Sequence, residues 1–159
     1  TGAMTDLTAA LAMLGSTVAT LEDISIAKDT YDIVLVDRSQ ASFFAYQLNN
    51  EGIRKLLLPA FEKTLEADFY KECNFVTIYL TCDSDIAQER MLKSRGTLDA
   101  IESKGPKYQE IVKQAYQECF NSYQYLMPGC VIDTGIFDQE TAGKMAIDFV
   151  NKQFESRTK

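Results

Sequence analysis

The sequence predicts a three-layer α/β domain, a parallel sheet flanked by helices, and three observations predict it. Short β-branched apolar runs alternate with longer stretches whose apolar residues recur at helical spacing. Two of those runs, Ile33 to Val36 and Phe75 to Thr81, are nearly continuous in apolar or β-forming residues, as strands buried in a parallel sheet are. The segments between the runs are long enough to cross over from one parallel strand to the next.

In chain order, Leu7 to Leu14 carries apolar residues at helical spacing, with Thr5 or Asp6 as N-cap and Gly15 as a stop signal. Thr17 to Leu21 reads as a short strand ending at Glu22-Asp23. Ile33 to Val36 is the second strand, and Ser39 through Asn50 a helix. After Gly52, Ile53 to about Lys71 forms another helix with Leu56, Leu57, Ala60, Phe61, Leu65 and Phe69 as its apolar face; Pro59 is tolerable there as a kink or restart. Phe75 to Thr81 is the clearest strand. Asp83 or Ser84 then caps a helix from Asp85 to about Lys93, Lys107 to about Leu126 is a long amphipathic helix ending before Pro128-Gly129, and Cys130 to Thr134 is a last strand. Gln139 to Phe154, capped by Asp138, closes a single domain over residues 1–155, with Ser156 to Lys159 a loose tail.

Composition narrows the chemistry. The 159 residues, 46% hydrophobic, suffice to bury a core in one domain. The net charge of −7 and pI near 4.6 argue against a nucleic-acid groove, which needs a basic stripe, yet leave room for a small anion held by a few focused arginines. No apolar run approaches the ~20 residues of a membrane span, and the first residues lack a secretory leader pattern, so no membrane partner and a cytoplasmic location are expected. Histidine is absent, which removes imidazole acid-base catalysis, Ser-His-Asp triads and ordinary zinc hydrolase sites. Cys73, Cys82, Cys119 and Cys130 lack the short paired spacing of a zinc site and read as small hydrophobes in a reducing compartment.

The functional reading centres on Asp37-Arg38. An apolar strand that stops at an Asp-Arg pair and runs at once into a helix delivers that pair to the carboxyl end of a sheet, where ligands bind in open α/β folds. The planar fork of arginine donors suits a phosphate. A helix cap with a surface ion pair would use the same residues without any ligand.

Two separated motifs then coincide with a known family. Asp37-Arg38-Ser39-Gln40-Ala41-Ser42-Phe43-Phe44-Ala45-Tyr46-Gln47 resembles the thymidylate kinase signature Asp-Arg-Tyr-x-x-Ser-x-x-Ala-Tyr-Gln, departing from it at Ser39. Ala87-Gln88-Glu89-Arg90 and Arg95-Gly96-Thr97-Leu98-Asp99-Ala100-Ile101-Glu102 resemble that family's Ala-x-x-Arg helix and its Arg-Gly-x-Leu-Asp-Arg-Ile-Glu lid, with Ala100 where the lid has a second arginine. Tyr108 to Tyr116 is similar to the helix after the lid and Val131-Ile132-Asp133 to the last strand, so the likeness covers about Asp32 to Val150 in order.

The resemblance implies a P-loop-kinase-like domain with a small helical lid near residues 90–106, and phosphoryl transfer from ATP, with Mg²⁺, to a deoxynucleoside monophosphate, dTMP before others. It implies that Arg38 binds the acceptor phosphate, that Asp37 stands near the metal or the reacting phosphates, and that Ser39, Ser42, Tyr46 and Gln47 line the acceptor, Tyr46 sensing the deoxyribose. Arg90 and Arg95, with Lys93 nearby, close over the transferring group and the donor, and Gly2 and Thr5 stand on the donor side. Such a reaction needs in-line positioning and positive charge rather than covalent help, so a histidine-free site suffices. Nucleotides are the expected partners, and a homodimer is left open.

The family's Gly-x-x-x-x-Gly-Lys-Ser/Thr loop is not found; Thr1 to Thr8 looks like its trailing edge without the lysine. Between Asp23 and Asp32 no phenylalanine or arginine stands for base recognition. The sequence is therefore compatible with an enzyme whose donor loop and base-reading segment are not among these residues, with a shortened kinase whose donor site is built differently, or with a catalytically degenerate nucleotide-binding or interaction protein. A deoxynucleoside kinase is the nearest enzymatic alternative, Ser39 in place of tyrosine leaning that way.

Overall fold

A computed structural model describes residues 5–67, 73–97 and 102–155. Among them are six α-helices, one short 3₁₀ turn and two strands: α1 (Asp6–Ala27), α2 (Gln40–Gln47), α3 (Glu51–Glu66), β1 (Thr77–Thr81), α4 (Ser84–Arg95), the turn Glu102–Lys104, α5 (Pro106–Tyr123), β2 (Gly129–Asp133) and α6 (Gln139–Glu155). The three-layer parallel-sheet architecture is thereby overturned: the described chain is mainly helical, and its one sheet consists of β1 and β2, paired in parallel from Thr77 opposite Gly129 to Thr81 opposite Asp133.

The contacts divide the chain into two compact units, residues 1–75 with 112–126 and residues 76–111 with 127–159, so that α5 contributes to both. In the first unit, the core is built by α1, α2, α3 and the later turns of α5. The buried residues of α3, Ile53, Leu57, Phe61 and Leu65, recur every four positions and form one stripe. Pro59 lies within that helix on its exposed side, as does Lys55, whose carbonyl would have met the missing N–H, so the helix continues through it. Leu56 and Ala60, expected on the apolar face, are exposed instead. Phe61 stands between Phe43 and Phe44 of α2 at 5.9 and 5.7 Å between ring centroids, and Tyr123 of α5 meets Phe44 and Phe61 edge-on at 5.9 and 5.6 Å. The Tyr123 hydroxyl donates to Glu62 at 2.8 Å. Arg54 lies over the Phe44 ring at 5.0 Å and pairs with both carboxylate oxygens of Glu118, which holds the Glu118 carboxyl below its ordinary pKa.

Two expected strands of this unit are absent for different reasons. Thr17 to Leu21 is helical because α1 runs unbroken through Gly15: Leu21 and Ile24 are buried on it, and the Thr17 and Thr20 hydroxyls donate to the carbonyls of Met13 and Ser16 four residues back. That burial outweighs the ~1 kcal/mol that glycine costs a helix interior. Ile33 to Val36 forms no ladder, since the described strands pair only with each other, and it is solvent-exposed, Leu35 at 92%. A strand unpaired on both edges leaves its peptide groups to water, so the buried position expected for it is not attained. α1 is also, among the described residues, long and apolar enough by length and composition alone to cross a membrane, a criterion that a helix of a water-soluble core and a leader sequence meet as well.

In the second unit the element positions agree with the sequence, but β1, expected as a buried strand, has no buried residue. β1 and β2 begin and end within two residues of expectation, Asp83 caps α4 by accepting from the Asp85 amide at 2.9 Å, and Asp138 caps α6 by accepting from Thr141 at 2.8 Å. Gly96 ends α4 at φ 71°, the left-handed conformation a glycine C-cap serves. The expected lid motif is described only in part, because Leu98, Asp99, Ala100 and Ile101 lie outside the described residues, as do Phe69, Lys71 and the tail from Ser156.

Gly15 separates the two readings of the N-terminal segment. A Cβ at Gly15 meets nothing within 4 Å, so Gly15→Ala is expected to raise stability by about 1 kcal/mol in urea denaturation; a turn followed by a strand would give a loss instead. The core also sets an alkaline limit. Burial pushes the Cys119 thiol up to about 12, and burial followed by the hydrogen bond to Glu62 raises the Tyr123 phenol. Both protonated forms are favoured in the folded state, so their contribution is complete below the unfolded thiol value of about 8.5 and is lost as pH rises above it. Tm should therefore fall above about pH 9, and Cys119→Ala should move that onset toward the phenol's unfolded value of about 10.

Candidate functional site

α2 is short and two-faced, and the site follows from that. Gln40, Phe43 and Phe44 are buried on one side, while Ser42 and Tyr46, four residues apart and so on one face, are half-buried on the other. Arg38 precedes the helix in the left-handed conformation, φ 63°, the only described non-glycine residue with positive φ. Its guanidinium lies 5.3 Å from the centroid of the Tyr46 ring. The Ser42 hydroxyl is 2.7 Å from the hydroxyl of Tyr116 on α5, and the Tyr46 and Tyr116 rings meet edge to face at 6.1 Å. Phe120, one turn on, stacks with Tyr116 at 6.5 Å. The structure thus brings Arg38, Ser42 and Tyr46 together and adds Tyr116 from α5.

The cluster offers an exposed cation at an aromatic face, a hydroxyl pair that can donate and accept, and two tyrosine rings. Arginine with aromatic planes suits a ligand that has a phosphate at one end and a flat ring at the other. Arg38 and Asp37 are both exposed and open to such a ligand.

The other expected site residues fall elsewhere. Ser39 is the N-cap of α2, but its side chain makes no cap hydrogen bond. Gln47 ends α2 with its Oε1 buried and without a hydrogen-bond partner. Thr5, expected on the donor side, caps α1 instead, its hydroxyl accepting from the Thr8 amide at 3.2 Å, and Gly2 lies outside the described residues. In the second unit, Arg90 donates to the Thr134 hydroxyl at 3.3 Å and to its carbonyl at 2.9 Å. Thr134 in turn donates its amide and its hydroxyl to the carbonyl of Thr81, at 2.7 and 3.0 Å, so Arg90 braces the carboxyl ends of both strands. Arg95 is exposed in the last turn of α4, where a cation complements the helix dipole, and Lys93 pairs with Glu89 at 2.6 Å.

Among the described residues no group of three or more His, Cys, Asp or Glu side chains is placed to hold a metal ion. Asp37 offers one carboxylate, which fits a magnesium ion carried on the ligand's own phosphates but not a protein-built cage. The described residues supply no glycine-rich loop with a lysine for a donor nucleotide, and Thr5 is engaged as a cap.

No family model, curated protein or solved structure matches this chain.

Arg38 carries a measurable cost. A left-handed L-residue costs roughly 1–2 kcal/mol relative to glycine, and both Arg38→Gly and Arg38→Ala lose the contact with Tyr46. Arg38→Gly is therefore expected to be more stable than Arg38→Ala by about 1 kcal/mol in chemical denaturation. Equal stabilities would contradict the positive φ.

Proposed function

We propose that the chain binds a deoxynucleoside monophosphate, dTMP first, as the acceptor in ATP-dependent phosphoryl transfer. One observation carries this reading: the arginine of the Asp37-Arg38 motif lies over the tyrosine of the same motif, beside a serine whose hydroxyl is held by a second tyrosine. Three of the residues in that motif, Arg38, Ser42 and Tyr46, lie together in the first unit, and this supports the reading. Arg38 serves the acceptor phosphate, Ser42 an acceptor or donor on the base or sugar, and Tyr46 the sugar ring. The reading rests on these side chains and on the motif likeness, and takes nothing from the overall architecture. The donor nucleotide is assigned to no described residue.

A second reading, a nucleotide-binding protein without turnover, is favoured by one contact: Arg90, expected to act on the transferring group, is engaged with Thr134.

A coupled ADP-release assay over dTMP, dGMP, dUMP and thymidine separates these. Turnover with dTMP and little with thymidine is expected; turnover with thymidine alone would make the chain a nucleoside kinase. Thermal stabilisation by nucleotide without any turnover would support the second reading. Arg38→Ala is expected to cost about 2–3 kcal/mol of transition-state stabilisation, a fall in kcat/KM of about 10²-fold, and full activity in that variant would sink the assignment.

A further inference from the structure

Tyr116 stands on α5, 74 residues from Ser42, and the hydroxyls of the two meet at 2.7 Å. The geometry points to Tyr116 as a positioning residue that sets the direction of the Ser42 hydroxyl and, through its ring, the tilt of Tyr46, and so determines which acceptor is recognised. The inference rests on the reading of this cluster as a nucleotide acceptor site.

A serine inside a helix has a competing partner, the backbone carbonyl three or four residues before it. Ser42 lies in the first turn of α2, and its hydroxyl is bonded to a tyrosine on another helix instead of to that carbonyl. Either hydroxyl can be the donor. When Tyr116 donates, the Ser42 proton is left for a ligand carbonyl; when Ser42 donates, its own lone pairs are left to accept from the ligand. The pair can therefore satisfy one donor or one acceptor on the ligand, and a ligand polar group left unmatched there costs it the unpaired-group penalty.

The ring of Tyr116 acts on the second residue. It meets Tyr46 at 88°, and Phe120 stacks behind it with an interplanar angle of 25°. Tyr46 thereby meets both the ring of Tyr116 and the guanidinium of Arg38, and these contacts restrain its tilt. Tyr116→Phe keeps the ring and removes only the hydroxyl, which isolates the first effect from the second.

Calorimetric titration of dTMP into the wild-type chain, Ser42→Ala, Tyr116→Phe and the double variant tests this, with Tm measured on each. Each single change is expected to weaken dTMP binding by about tenfold, and the double variant by no more than either single one, because both remove one hydrogen-bonded unit. Ser42→Thr, which keeps a hydroxyl, should retain most of the affinity. Unchanged affinity in Tyr116→Phe, or losses that multiply in the double variant, would overturn the role of Tyr116 while leaving the acceptor site standing. Absence of dTMP binding by the wild-type chain would remove the acceptor reading itself, and this inference with it.

Discussion

The packing of Phe43 and Phe44 against Phe61 is the interaction on which the first unit depends. α2 has only eight residues, too few to be stable as an isolated helix. It is held because two adjacent phenylalanines on its buried side enclose the ring of Phe61, with Tyr123 closing the group edge-on. Burying each large apolar side chain is worth roughly 1.5–3 kcal/mol, and each ring pair about 0.5–1.5 kcal/mol more. With one side fixed in this way, the helix period places Ser42 and Tyr46 together on another side. The core thus determines which side chains face a ligand.

Arg38 shows the opposite balance. Its left-handed backbone costs more than an exposed contact over Tyr46, worth about 0.5–1 kcal/mol, returns. A strained, exposed arginine beside a cluster of hydroxyls and rings is poorly explained by stability, and backbone strain of this kind is concentrated at functional sites. Arg90 is the contrasting case: its guanidinium is spent on bracing Thr134 at the ends of the two strands. Two arginines that the motifs place in one reaction therefore have different local chemistry.

Much of the second unit could be read directly from the sequence. Asp83 and Asp138 are local signals, each acting within a few residues of the helix end it marks, so the structure repeats them. The first unit was harder because tertiary burial overrode local preference. Gly15 with β-branched neighbours suggests a turn and a strand, but the burial of Leu21 and Ile24 keeps α1 whole. Ile33 to Val36 has a strand's composition, and composition cannot report whether neighbouring strands exist to pair with it. Arg38, Ser42 and Tyr46 could be found because they stand within one short motif that resembles a known signature; Tyr116 could not, because its partner is 74 residues away. Tyr116 stands four residues after the buried Val112, on the flank of a face that reads as core, so nothing local in the sequence marks it.

The central claim is that Arg38 reads a phosphate at the end of a nucleoside held by this cluster. Comparing dTMP with thymidine by calorimetric titration, in the wild-type chain and in Arg38→Ala, tests it most directly. The account predicts that dTMP binds the wild-type chain at least about tenfold more tightly than thymidine, a charge-assisted contact's worth, and that Arg38→Ala abolishes the difference. Equal binding of the two ligands by the wild-type chain, or a preference for dTMP that survives in Arg38→Ala, would contradict it.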